Sequence, residues 1–452
     1  MRDGGRIAAA IDVLTDIEAR HRPAHLALKS WGGDARYAGA KDRAFVSGLV
    51  LDVLRRRRSL AWMMGEESDR ARTLGVVRFV WNWPIERIEA AAAEPHGPGE
   101  LTPAERERLA RPTPLDAAPP PVRGDYPDWL DGPLQRAFGE GRALEGQAMA
   151  ARAPVDVRIN TLKSDAEHVL KALDPFDPDR LTFPPGSVRI AAPAASERAA
   201  PVEAAPAFER GWFEVQDAGS QIAAAVAGEI RGRQVLDFCA GGGGKTLMLA
   251  AAMGNTGQLY AYDADARRLA DTVRRSQRAG VRNLQVRSPI DPKALDGLDG
   301  RMDLVFVDAP CTGSGTWRRH PDAKWRLTPQ QLDRRIAEQD AVMAAAAPFV
   351  KPGGRLIYVT CSLLAEENND QVRGFLARHP DFIAMPGAEL TRPLGERALV
   401  FGHAAMMLPE GLLMTPRRTE TDGFFVSALM RRAEAAAVRA QPDVTETTVT
   451  EW

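Results

Sequence analysis

Between Met302 and Asp322 the chain reads MDLVFVDAPCTGSGTWRRHPD, and this stretch constrains the fold more than any other. An apolar, β-prone run, Leu304 to Val307, ends on an acid, Asp308, and then on Pro310 and Cys311. A loop of small residues follows, Thr312 to Thr316, and then Trp317, Arg318, Arg319 and His320. Strand, then acid, then loop is how open α/β sheets present chemistry at the carboxyl ends of their strands. A second segment has the same form: the run Arg355 to Val359 ends on Thr360, Cys361 and Ser362. Two of the three cysteines are therefore expected at one sheet edge, beside an acid.

From Gln216 onward the pattern is regular. It predicts a helix over 218–227, a strand over 234–238, a helix over 246–252, a strand over 258–262, a long helix over 266–279 and a short strand over 284–287. The Leu304 and Arg355 strands continue the series, and Leu412–Thr415 with Phe424–Met430 reads as a closing hairpin. Strands alternating with helices imply a doubly wound parallel sheet.

At 452 residues the chain has room for two to four domains. Residues 1–92 read as helical: Ile7, Ile11, Val13, Leu14 and Ile17 recur at helix spacing, and Phe45, Leu49, Val50, Val53 and Leu54 repeat the pattern. The run Arg55 to Arg58 has two readings that stay open, a solvated helix end favoured by the macrodipole or part of an RNA-facing patch. Prolines crowd 93–125 and predict a linker or loose covering segment, so that 1–125 forms a helical domain with a Pro-rich linker. Residues 126–215 read as a small α+β connector: a helix ends near Phe138, a strand covers Val155 to Lys163, and Ser164 or Asp165 caps the next helix. The doubly wound sheet would occupy 216–432, and 433–452 is a polar tail expected to fray.

Net charge is −1, so any polyanion must meet a local patch rather than the bulk field of the protein. Three cysteines cannot build a disulfide framework, and no paired His or CxxC spacing offers a metal site. No apolar run reaches membrane-spanning length, and the N-terminus lacks the form of a signal peptide. A soluble, cytoplasmic monomer without metal is expected.

DFCAGGGGKT, Asp237 to Thr246, stands between a predicted strand and helix. Its glycines let the backbone approach a ligand, and the helix N-terminus offers free N–H groups. A phosphate-binding Walker loop needs a glycine where Cys239 stands, and GxGxxG is not present in clean form. Asp263, 22 positions after Gly241, ends the second strand, where an acid binds ribose hydroxyls of an adenosyl cofactor. The bland alternative is a tight turn with a surface acid. Cys239 reads as a buried small hydrophobe.

Four motifs in order, DFCAGGGGKT, AYDADARRL, VDAPCTGSGTWRRHPD and VTCSLLAEEN, closely resemble the RsmB/Sun (Fmu) family of RNA (cytosine-5) methyltransferases. The ending TETDGFFVSALMRR resembles that family's last strand, YPDWL and VRINTLK its pre-catalytic segment, and residues 1–90, more faintly, its NusB-like helical domain. The resemblance implies a class I, Rossmann-like methyltransferase fold, S-adenosylmethionine as cofactor and an RNA cytosine as substrate. Ribosomal RNA of the small subunit is the preferred target, with transfer RNA second. It places cofactor binding on Cys239, Ala240, Gly241, Gly242, Gly243, Gly244, Lys245, Asp263 and Asp308. The acid near the adenine falls closest to Asp291, displaced by Pro289, and four glycines stand where the family usually has Ala-Pro-Gly-Gly.

The resemblance assigns Cys361 as nucleophile, Cys311 as the group that assists elimination and Asp308 as the acid on the base edge. The chemistry needs such groups. C5 of cytosine is a poor nucleophile until a thiolate adds to C6, which divides one hard step into two easier ones. Lys245, Arg318, Arg319 and His320 would supply positive charge that favours a thiolate. The target base must leave its stack. Trp317 and Trp325 then either stack on bases or pack on the following helix. Two other classes compete: a non-catalytic RNA-binding protein with a methyltransferase fold, and a DNA cytosine enzyme, which would leave Cys361 unexplained.

Overall fold

The computed structural model describes residues 1–194, 197, 199–395 and 398–433, so the polar tail expected over 433–452 lies, from 434 on, outside the described residues. Residues 3–92 are helical throughout, in the helices Asp3–Arg20, Ala24–Asp34, Ala40–Arg55, Arg57–Met64, Asp69–Gly75 and Ile85–Ala92, with a π-helical turn over Val76–Val80. The apolar spacing explains the packing: Ile7, Ala10, Leu14 and Ile17 share one face of the first helix and are buried against Leu49, Val50 and Leu74.

The proline-rich stretch 93–125 departs from the expected loose linker. Pro103 begins a helix, Pro103–Ala110, whose capping box joins Thr102 and Glu105. Leu109 is fully buried in the helical core, and Arg70 Nε donates to Glu105 at 2.6 Å. Proline limits helix length but is well placed at a first turn, and one buried leucine suffices to dock the segment.

The connector holds an antiparallel sheet of four strands in the order β2-β3-β1-β4: β1 Val155–Ile159, β2 Asp179–Arg180, β3 Ser187–Ile190 and β4 Phe213–Val215. The strand expected to reach Lys163 stops at Ile159, because the Asn160 side chain accepts from Leu162 N and turns the chain. Asn160 Nδ2 also donates to Ala279 O at 2.9 Å, tying the connector to the catalytic domain. Of the two expected caps, Asp165 serves, accepting from His168 N.

The catalytic domain is built on β5 Gln234–Asp237, β6 Gln258–Tyr262, β7 Leu284–Arg287, β8 Met302–Asp308, β9 Val350–Thr360, β10 Phe382–Ala384, β11 Met406–Leu408, β12 Gly411–Met414 and β13 Phe424–Arg431. They form one sheet in the order β11-β12-β13-β9-β8-β5-β6-β7, with β10 beside β13. β7, β6, β5, β8 and β9 run parallel, while β13 is antiparallel to both β9 and β12, the expected closing hairpin. Side chains sort by period two. Val305, Val307, Leu356 and Tyr358 enter the core on one face, and Leu304, Phe306, Ile357 and Val359 the core on the other. All eight are fully buried, so both faces are covered by helices, as a parallel sheet requires. The chain builds β6 and β7 on one side of β5, then crosses to build β8 and β9 on the other. The crevice at the carboxyl ends of β5 and β8 is therefore the switch point where such sheets bind ligands. No helix among the described residues is long and apolar enough to cross a membrane.

Candidate active site

Asp237, Asp308 and Thr360 end β5, β8 and β9, so the loops after them face one crevice. The first loop is the glycine loop. Gly241 (φ +52°) and Gly243 (φ +84°) adopt left-handed backbone, and a Cβ on Gly243 would stand 2.9 Å from Thr272 Oγ1 and 3.1 Å from its Cα. Glycine is required there for the helix Ala266–Ala279 to pack against the loop. By contrast, Cβ atoms on Gly242 and Gly244 would meet nothing closer than the Arg275 guanidinium at 3.7 Å and 4.0 Å. These two glycines leave a cradle that side chains would fill. The following helix starts at Gly244, two residues before the expected Thr246, and points its first N–H groups into that cradle.

Asp263 follows β6 and fastens this loop. Its Oδ2 accepts from Gly241 N at 2.8 Å and its Oδ1 from Asp265 N at 2.8 Å. A carboxylate has about four acceptor sites, so lone pairs remain for a ligand. Cys239 packs against the core beside β5, and burial pushes its thiol well above the usual range, with Asp237, Asp263 and Asp308 adding to the rise. Ala240 is buried too. Asp291 does not join these groups: it is exposed in the loop after β7, and its Oδ1 accepts from Lys293 N at 2.9 Å.

Lys245 and Asp308 form an ion pair, Nζ to Oδ2 2.7 Å. Burial alone would push the Lys245 ammonium down. The Asp308 carboxylate outweighs burial, with Cys361 and Asp237 adding, so the ammonium sits above its ordinary value and stays charged. Asp237, not among the residues singled out from sequence, lies beneath this pair. Its Oδ2 accepts from Thr246 Oγ1 at 2.6 Å, while Oδ1 is buried without a partner. Burial, reinforced by Asp308, pushes its carboxyl up to about 7.

The structure brings the two strand-end cysteines together: Cys311 Sγ and Cys361 Sγ are 3.2 Å apart. The hydrogen bond to Cys361 and then burial push the Cys311 thiol well above its usual value, and Glu367 adds to the rise. Sequence reasoning also missed Glu367, whose burial depends on contacts made across the fold.

The arginines after Cys311 depart from expectation, and of the two readings left open for the tryptophans the structure shows packing. Arg318 is buried and pairs with Asp422 (Nε to Oδ1 2.5 Å) and Asp217 (Nη2 to Oδ2 3.1 Å). Arg319 pairs with the same two acids at 2.6 Å and 2.8 Å. Both guanidiniums are thus engaged within the protein rather than free for phosphate. Trp317 is buried in the core, and Trp325 Nε1 donates to Leu54 O at 2.6 Å in the helical domain. Trp317 is thus fully packed and Trp325 half-buried. In the run Arg55 to Arg58, Arg55 closes the helix Ala40–Arg55, as one of the two readings had it, but three of the four arginines are engaged within the protein rather than solvated. Arg55 is buried on Asp52 and Arg318 O, Arg57 pairs with Glu18, and Arg58 pairs with Asp128.

The family model described as 16S rRNA methyltransferase RsmB/F matches residues 227–430. Ribosomal RNA small subunit methyltransferase B of Cronobacter sakazakii is 32% identical over 310 residues, which cover 68% of this chain and 66% of that protein. The protein of the same name from Citrobacter koseri is 30% identical over 421 residues, covering 87% of this chain and 91% of its own. Among solved structures, PH0851 matches 95% of this chain and 99% of its own with a TM-score of 0.67 at 23% identity, a likeness of fold.

Proposed function

The chain belongs to the RsmB/F family of 16S rRNA methyltransferases, and on that premise we propose that it methylates C5 of a cytosine in 16S rRNA with S-adenosylmethionine, through a covalent bond between Cys361 and C6. The observation that carries this reading is the Cys311–Cys361 pair, 3.2 Å apart at the sheet edge where the Lys245–Asp308 ion pair also lies.

The cradle of Gly241, Gly242, Gly243 and Gly244, with Asp263 behind it, fits an adenosyl cofactor: it offers free helix N–H groups, open space at two glycines and an acid for ribose hydroxyls. Cys239 and Ala240 would line the turn, and Lys245 and Asp308 the methyl-donor end. When bound, S-adenosylmethionine supplies an electrophilic methyl group. The remaining work belongs to the protein. Asp308 hydrogen-bonds the base edge and favours a proton at N3, which makes C6 electrophilic. Cys361 adds to C6 as the thiolate, and C5 becomes nucleophilic enough to take the methyl group. Water then takes the C5 proton, the electrons of that C–H bond re-form the C5–C6 double bond, and Cys361 leaves as thiolate with Cys311, hydrogen-bonded to it, assisting its departure.

The helical residues 3–92 are read as a NusB-like domain that brings the RNA to this site, and an rRNA substrate places the work in the cytoplasm. Bisulfite sequencing of 16S rRNA from cells with and without the gene tests the function. One cytosine should lose protection in the deletion and regain it with the gene restored; an identical cytosine pattern in both strains refutes the reading.

A further inference from the structure

Cys311 and Cys361 come from loops after different strands, so something must hold their sulfur atoms 3.2 Å apart. Between the two loops lies the side chain of Glu367, fully buried. Its Oε1 accepts from Thr312 N at 2.8 Å and Gln339 Nε2 at 2.9 Å. Its Oε2 accepts from Thr312 Oγ1 at 2.5 Å and from Ser362 Oγ in a closer contact. Thr312 follows Cys311 and Ser362 follows Cys361. Gln339 Nε2 donates also to Pro310 O at 2.9 Å, so the residues on both sides of Cys311 are tied to this one carboxylate. The main chain of Glu367 is itself anchored to β9, where Tyr358 Oη donates to Glu367 O at 2.7 Å. The four acceptor sites are filled by neutral donors, and no cation pairs with the carboxylate among the described residues. Its negative charge is shielded only by these neutral donors, and burial strengthens its effect on its neighbours. The two thiols meet opposite charges: Glu367 on the side of Cys311 and Lys245 on the side of Cys361.

We propose that Glu367 is a positioning residue that holds the two thiols at hydrogen-bonding distance and, by its charge, assigns the shared proton to Cys311. Cys361 is then the sulfur free to attack, and Cys311 the S–H that supports it when it leaves. The upward push on the Cys311 thiol, partly from Glu367, agrees with this assignment. The division of labour rests on the function proposed above; the placing of the proton does not.

The test follows the pH dependence of iodoacetamide labelling at each cysteine, resolved by peptide mass spectrometry, in the full-length protein. Glu367→Gln keeps shape and removes charge. Its Cys311 labelling midpoint should fall by about one pH unit or more, as expected for removal of a close like charge. Its kcat for methyl transfer should fall on the order of 10²-fold with RNA affinity kept, because a shift of about 1 Å in a reacting group has that effect. Ser362→Ala provides the opposite arm and a safeguard if Glu367→Gln does not fold: with one donor lost, the less shielded carboxylate should raise the Cys311 midpoint. A Cys311 midpoint that stays at the parent value in Glu367→Gln, or fails to rise in Ser362→Ala when only that variant folds, overturns the proposal. Should the parent protein fail to methylate rRNA while the midpoints move as stated, the function is wrong and the role of Glu367 stands.

Discussion

Lys324 Nζ donates to the main-chain carbonyl of Arg55 across 2.8 Å, joining the segment that follows Cys311 to the end of the helix Ala40–Arg55 in the helical domain. The ammonium is buried, and burial pushes it down to about 7 against a partial restoring pull from Asp125. Asp125 is itself held by Ser59 Oγ, Ser59 N and Arg58 N at 2.6, 2.9 and 2.9 Å. Alongside, Arg55 Nη2 donates to Arg318 O at 3.0 Å and Ala24 N to Asp322 Oδ2 at 3.1 Å. The helical domain therefore braces the catalytic loop. Lys324→Met leaves the Arg55 carbonyl buried without its donor, which should lower stability by about 1–3 kcal/mol, the cost of an unpaired buried polar group. Urea unfolding checks it; a midpoint equal to the parent's would show that the brace contributes nothing.

Arg318 and Arg319 share the carboxylates of Asp217 and Asp422. Removing the more buried arginine leaves both acids to Arg319 alone. Arg318→Ala should thus cost about 3 kcal/mol or more of stability. Each phosphate contact contributes roughly 0.7 to the slope of log affinity against log salt on a single strand. The variant should keep the parent's slope. A slope shallower by that amount in folded protein would place Arg318 on the RNA after all.

Asp237 gives a pH signature. Its carboxyl is raised from 3.8 to about 7 by burial, with Asp308 and Asp263 pushing the same way and Thr246 and Lys245 opposing. Between those two values the folded chain holds a proton that the unfolded chain has released, so this group's contribution to stability is full below 3.8 and is lost as pH rises through about 7. Asp237→Asn can keep the Thr246 hydrogen bond through its carbonyl oxygen while removing the titration. It should flatten the fall in stability over that window and exceed the parent at pH about 8 by on the order of a few kcal/mol. Parallel stability curves for the two proteins would place the titration elsewhere.

The sequence made local features legible and long-range partners illegible. The strand ends carrying Asp308, Cys311 and Cys361 could be read because period and terminus lie within ten residues of each other, and the sheet then brings them together. The helix Ala266–Ala279 and the strand Leu284–Arg287 fall where the pattern placed them. Arg318 was misread because its partners Asp217 and Asp422 are about a hundred positions away on either side, and charge alone cannot distinguish a buried network from a phosphate site. Trp325 could not be decided between stacking and packing for the same reason: its acceptor, Leu54 O, belongs to another domain. Proline content in 93–125 reported what the backbone cannot do, not that Leu109 would be buried. Glu367 looked like one more acid at a helix start; only the meeting of two loops makes it a hub.

The two thiols should fail differently when removed. Cys361→Ala leaves no sulfur to add at C6, so it should be inactive and release RNA intact on a denaturing gel. Cys311→Ala retains the attacking sulfur, and the lost partner sits 3.2 Å from it. Attack and methyl transfer proceed, but Cys361 must then leave without a neighbouring S–H, and that step slows. With S-adenosylmethionine present, Cys311→Ala should accumulate a protein–RNA band that survives denaturant, while Cys361→Ala shows none. A trapped band for Cys361→Ala would exchange the two roles and place the nucleophile after Pro310. Full activity in both variants, with no band in either, would make the pair a structural contact and remove the covalent step from the proposed mechanism.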